Sequence, residues 1–254
     1  MEITLDEALK GKATIIKGKE YLSAEAYLTP FLERMSKYTN DFRVQVKTPN
    51  QMSLTEKTED IIYNRIWIQA VMPNKYCFDN NHQESINLLY ALDTRKPVVK
   101  IFKNYLNMAC LNMCVFNPHA ISIQNLEPDS PINYKFVDNV LSMTDNTISI
   151  LNKLSDQILT ENQIFDTLGK WIDKCINFEY NNGFGKVKLS KTLPVDVYEM
   201  LFIDSKSPYY CNTRESDYFN IYNTFTYLIS NDKGKDIVNK FEKSYLAAQV
   251  LDIV

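Results

Sequence analysis

Hydrophobic positions change their period along this chain. Leu28, Phe31, Leu32 and Met35 recur at helical spacing, in a helix opened by Ser23, which could accept the free N–H groups of a first turn, or by Thr29-Pro30. Pro30 makes residues 31–38 the firmer part of that helix. Residues 1–22 are short charged and apolar pieces punctuated by Gly11 and Gly18, and a small hairpin is expected around ATIIKG. Phe42, Val44 and Val46 then alternate with Arg43, Gln45 and Lys47, the period of a half-buried strand. Residues 61–72 are apolar and aromatic on both sides, which predicts a central strand or one covered by helices. Residues 73–96 open on a polar excursion and continue as INLLYALDTRK, where the pattern leaves helix and strand open. Further strands are expected near 97–103, 111–116 and 120–124, with Asn117-Pro118 turning between the last two.

Beyond the turn EPDSPINYKF the period becomes helical. Ile148, Leu151, Leu154 and Ile158 recur at threes and fours. Thr160 to Gln163 spells a capping box, in which hydroxyl and amide each satisfy a free backbone donor. The helix it opens carries Ile164, Leu168, Trp171, Ile172 and Cys175 on one stripe, and NNGFGK ends it. Residues 186–203 predict a short strand and a short helix, Ser205–Thr213 a loop, and 215–230 and 233–249 two closing helices. The expectation is an α+β fold: a mixed or antiparallel sheet in a strand-rich stretch 1–140, packed against a helix-rich stretch 141–254 in a single folded unit.

Composition narrows the class more than the activity. An apolar fraction of 45% and a charged fraction of 23% are those of an ordinary globular chain. The net charge of −3 supplies no global attraction to nucleic acid or to an anionic membrane. Sixteen tyrosines and 13 phenylalanines can build a core or a partner-binding face. The N-terminus lacks the basic-then-apolar order of a signal peptide, and no apolar run approaches the roughly 20 residues of a spanning helix. Five widely spaced cysteines (Cys77, Cys110, Cys114, Cys175 and Cys211) fit free thiols in a reducing compartment. A soluble, intracellular protein is expected.

Candidate chemistry is sparse. Cys77, Asp79 and His82 could approach one metal, but their spacing matches no zinc pattern, and a solvated loop histidine is the simpler reading of His82. His119 follows a turn and would be a general base only opposite a nucleophile. Cys110 and Cys114 read as core residues, since a thioredoxin-type pair needs two residues between its cysteines. Gly183, Gly185 and Lys186 form the one glycine-rich loop with a lysine, a candidate phosphate cradle that reads equally as a helix end. No Walker, Rossmann, nucleophile-elbow or zincin motif occurs, so no catalytic residue, metal site or cofactor is assigned. Two basic stretches carry aromatics: Arg34, Lys37, Tyr38, Arg43 and Lys47, then Arg95, Lys96, Lys100, Lys103 and Tyr105. Phosphate contact with base stacking uses these residue types, and on a strand Lys96 and Lys100 would both face outward, although a solvated sheet face predicts nearly the same sequence.

Residues 102–115, FKNYLNMACLNMCV, resemble the vCtN(L/M)C core segment of DUF932/DUF3871-like proteins of phages, plasmids and Bacteroidetes mobile elements. Residues 218–226, YFNIYNTFT, with Asn239-Lys240-Phe241-Glu242 after them, are similar to the lYNaxT helix of the same proteins. Their NSHDGS-type motif is absent, and Asn80 to Ser85 is the nearest stretch. The resemblance would span about 60–254. It implies a phage or mobile-element setting, in bacterial cytoplasm or a virion; the surplus of tyrosine and phenylalanine and the missing catalytic motifs add the expectation of a non-enzymatic binding protein, with a protein partner or self-assembly foremost. Virion or tail assembly, inhibition of host defence and handling of single-stranded DNA are the competing roles.

Overall fold

The structure is a computed structural model, and it describes residues 4–10, 14–16, 18–47, 65–72, 82–92, 97–107, 113–114, 121–128, 134–135, 137–138, 147–177, 179–181, 186–232 and 237–253. The fold is α+β, strand-rich in its first half and helical in its second. The chain groups into two compact units. One comprises Met1–Cys77, Gln83–Asn104 and His119–Met143; the other comprises Phe78–His82, Tyr105–Pro118 and Thr144–Val254.

The first unit opens on α1 (Leu5–Leu9), whose Thr4 and Glu7 make a reciprocal capping box. The expected hairpin forms from β1 (Thr14–Ile16) and β2 (Lys19–Tyr21), with Gly18 at φ +75° in its turn, a conformation that glycine adopts without steric cost. Helix α2 (Ala24–Met35) starts at Ser23, whose hydroxyl accepts from Ala26 N. Strands β3 (Phe42–Lys47), β4 (Arg65–Val71), β5 (His82–Ala91) and β6 (Val98–Asn107) lie in that order, and β8 (Ile121–Asn125) pairs with Val98–Phe102 of β6. The stretch left open between helix and strand is therefore a ten-residue strand, β5. Its apolar run is continuous because both faces are buried, so alternation is hidden.

One face of this sheet is the core. Val44, Ile66, Ile68, Ile86, Leu88 and Tyr90 meet Tyr27, Leu28, Phe31 and Met35 of α2 there. Arg34 on the same helix stacks its guanidinium 5.2 Å from the Tyr134 ring and pairs with Asp138.

The second unit holds β7 (Met113–Cys114), which pairs with Tyr105 and Leu106 at the end of β6. Helix α3 (Thr147–Ser155) follows, then β9 (Ile158–Thr160), α4 (Glu161–Asn177), the short pair β10 (Tyr180–Asn181) and β11 (Lys186–Val187), α5 (Leu193–Phe202), β12 (Glu215–Asp217), α6 (Tyr218–Asn231) and α7 (Ile237–Val250). Ile158, expected to extend the helical row of Leu151 and Leu154, instead lies in β9. Helix α3 closes at Ser155, and β9 pairs antiparallel with β12, which brings the first turns of α4 and α6 together. Trp171 of α4 sits edge-on to Tyr218 and Phe225 of α6, at 6.3 and 6.1 Å between centroids. The Tyr222 hydroxyl donates to Ser244 O at 3.2 Å and so ties α6 to α7.

Candidate partner-binding face

The predicted chemical residues do not assemble into a reactive site among the described residues. His82 is not a solvated loop histidine. It begins β5, is buried, and its ring lies 5.2 Å from that of Phe219. Cys77, Asp79, His119, Gly183 and Gly185 lie outside the described residues, and Lys186 is placed in β11 by its backbone. No three histidine, cysteine or acidic side chains gather in a metal-like group among the described residues. Cys175 is buried, and burial pushes its thiol up to about 12. Cys211 is half-buried, its Sγ 3.4 Å from Tyr209 O and 3.5 Å from Asn220 Nδ2.

The basic stretches also separate. Lys37 is exposed and Arg43 half-exposed, whereas Arg34 is engaged with Asp138 and Tyr134. Lys47 ends β3, and Arg95 and Lys96 lie outside the described residues. The expectation that Lys100 faces outward is corrected: it is buried, as are Lys103 and Tyr105. The Lys103 ammonium is held 3.1 Å from Glu84 on the neighbouring strand. A strand covered on both faces leaves its alternate residues no open side, which alternation alone does not reveal.

The sheet face opposite the α2 core carries a polar lattice instead. Trp67 Nε1 donates to Asn87 Oδ1 at 3.0 Å. Asn87 Nδ2 donates to Asn104 Oδ1 at 2.7 Å, and Gln69 Nε2 to Ser85 Oγ at 3.1 Å. Ser85 Oγ in turn donates to Asn104 Oδ1 at 2.5 Å. These groups span β4, β5 and β6 and are buried, apart from the half-buried Trp67. Asn104 Nδ2 has no hydrogen-bond partner among the described residues. Buried amides in such numbers fix strand register, because a slip would leave each of them unpaired.

The second unit offers a surface of different chemistry. Helix α4 has two apolar stripes. Ile164, Trp171 and Cys175 are buried against its neighbours. Beside them run Phe165, Gly169, Ile172 and Ile176, with Phe165 59% and Ile176 48% exposed. The steps of four, three and four are those of a coiled-coil seam. Ile172 thus belongs to a second stripe, not to the buried one it was assigned to. Two adjacent apolar rows make a face wider than one core contact needs.

A polar cluster anchors the N-terminal end of the seam. Glu161 Oε1 accepts from Arg214 Nη1 at 2.6 Å and from the Tyr198 hydroxyl at 2.9 Å. Arg214 sits at φ 59°, and its carbonyl accepts from Glu161 N at 2.7 Å. Both its backbone and its side chain therefore bind the first residue of α4. Burial, then the hydrogen bond given to Glu161, raise the Tyr198 hydroxyl above its ordinary value. The Tyr198 ring stands edge-on to Phe165 at 5.9 Å. An exposed phenylalanine is thereby set against a tyrosine whose hydroxyl shares Glu161 with Arg214, and tyrosine and arginine are residue types enriched where protein partners bind tightly.

Comparison with protein-family models, curated proteins and solved structures finds no match. Among the described residues, no helix is long and apolar enough to cross a membrane.

Proposed function

We propose that this is a non-catalytic binding protein whose partner is another protein, and that it docks through the outer seam of α4. The observation that carries this reading is the run Phe165, Gly169, Ile172 and Ile176 at seam spacing, half-buried at Ile172 and exposed elsewhere, on a helix whose neighbouring stripe is already buried. A face held rigid from beneath loses little freedom on docking, so its apolar area converts efficiently into affinity. The Tyr198–Glu161–Arg214 cluster supplies a fixed polar margin at one end. A phage or mobile-element setting follows from the sequence resemblance, and the partner's identity would separate virion assembly from interference with a host protein.

The test is a photoreactive residue placed at Phe165 or Ile176 of the intact chain, with Lys153 on α3 as an exposed control, in the host that carries the gene. One discrete protein adduct from the two seam positions, absent from the control and lost on Phe165→Asp in the Ile176-labelled chain, is the expected result. No adduct, or the same pattern at all three positions, would sink the reading.

A further inference from the structure

Gly169 lies in the middle of α4, where glycine is a poor helix former. Nothing in the fold requires it: no heavy atom lies within 4 Å of where its Cβ would be, and its φ is not in the left-handed region. It occupies the second position of the exposed seam, between Phe165 and Ile172. A missing side chain there shortens the distance at which another backbone can cross the helix.

Two carboxylates stand beside the seam, with the exposed Lys170 between them in sequence and further round the helix. Asp166 and Asp173 follow Phe165 and Ile172 by one residue, so they flank the stripe on its solvent side, and both are exposed. Neither has an ion pair among the described residues, although Asp173 accepts from Asn177 Nδ2 at 2.9 Å. In an antiparallel pairing of α4 with a second copy, these flanking positions would face each other and bring carboxylate against carboxylate. The second unit also carries the chain's acidic excess, which adds repulsion between copies.

Resting on the docking face proposed above, we infer that the occupant of the seam is an amphipathic helix from a different protein, flanked by lysine or arginine, that crosses α4 at Gly169. Its apolar side chains fill the gap over Gly169 between Phe165 and Ile172, and its cations meet Asp166 and Asp173. Like charge at these flanks excludes a second copy and acidic helices, so the same two aspartates give attraction and selectivity.

The experiment uses the full chain and two labelled synthetic helices of about three heptads, long enough to be helical. Both have a leucine seam; one carries lysine at the flanking positions and the other glutamate. Fluorescence anisotropy is expected to show saturable binding of the lysine peptide and at least about tenfold weaker binding of the glutamate peptide, the difference shrinking with added salt. Gly169→Leu, which meets open space in the free protein, should weaken the lysine peptide about tenfold or more with an unchanged circular-dichroism spectrum. Asp166→Asn with Asp173→Asn should erase the difference between the two peptides. Equal binding of both peptides, no binding of either, or full binding to Gly169→Leu would each overturn the inference. So would a concentration-dependent dimer in sedimentation that Phe165→Asp dissolves, since a second copy would then own the seam. A discrete seam crosslink to another protein alongside any of these failures would leave the docking face standing and remove its basic helical occupant; loss of the crosslink as well removes both.

Discussion

Asn87 joins three strands through one carboxamide. It accepts from Trp67 on β4, donates to Asn104 on β6 and reaches Ser85 on its own strand at 3.3 Å. Asn87→Leu keeps the size and strips all of these contacts, leaving the indole N–H without its partner. A loss of about 1–3 kcal/mol is expected for each buried group so orphaned, read from the urea midpoint at unchanged slope. Tyr218 and Cys175 make a second residue-scale prediction. Burial raises both groups, to about 12 in each case, from ordinary values of 10.0 and 9.0. Each is neutral when protonated, so the folded state holds its proton more tightly than the unfolded state does. The stability they contribute is whole below pH 9.0 and is lost as the pH climbs towards about 12. Melting temperature should therefore fall across that window, and Cys175→Ala should flatten the lower part of the fall. A melting temperature that falls equally in the variant would remove Cys175 from the account.

At the scale of the element, α4 shows what its sequence carried plainly and what it concealed. Its start was legible: the Thr160 hydroxyl accepts from Gln163 N at 3.4 Å and Gln163 Oε1 accepts from Thr160 N at 2.9 Å, as the capping box predicts. Strands β3, β6 and β8 were legible for a similar reason, since period and turn signals act locally. The second stripe of α4 was not separated from the first, because a hydrophobic row records only that a face is apolar. Whether a neighbour covers it is decided by residues far off in the chain. The burial of Lys100 in β6 is hidden on the same ground: charge predicts exposure, and what covers a strand face lies elsewhere in the chain. Two substitutions, one at the cap of α4 and one within it, should act with opposite sign. Thr160→Ala removes the cap and should lower stability by about 1 kcal/mol. Gly169→Ala should raise it by about 0.5–1 kcal/mol in the free chain, because the helix gains a better former in open space. Denaturant midpoints of the two variants check both, and a destabilised Gly169→Ala would mean that the fold itself needs the glycine.

The whole molecule is built from two units that the chain visits alternately. It leaves the first unit after Cys77, returns at Gln83, leaves again after Asn104, returns at His119 and leaves finally after Met143. A cut at the boundary between sheet-rich and helical halves therefore does not release a complete second unit. Residues 144–254 alone would lack β7 and the strand end at Tyr105 and Leu106 that pairs with it. Tyr105 belongs to the same core as Phe225 and Leu246, so the fragment would expose that apolar surface. The expected outcome is a fragment that is helical by circular dichroism but binds a hydrophobic dye and lacks dispersed NMR signals. Addition of a peptide covering 105–118 should restore dispersion; a well-dispersed fragment without it would show that the strand is dispensable.

The alternation of units along the chain also has a consequence for how the protein is made. Residues 105–118 leave the ribosome long before α6 and α7 exist to complete their unit. During that interval the strand end at Tyr105 and Leu106, in the apolar stretch YLNMACLNMCVFNP, awaits its cover, the kind of nascent surface that chaperones hold and that neighbouring chains on a polysome can capture. Slow translation of the helical half would prolong the wait, so yield in a foreign host should depend on the pace of synthesis as much as on the stability of the finished fold.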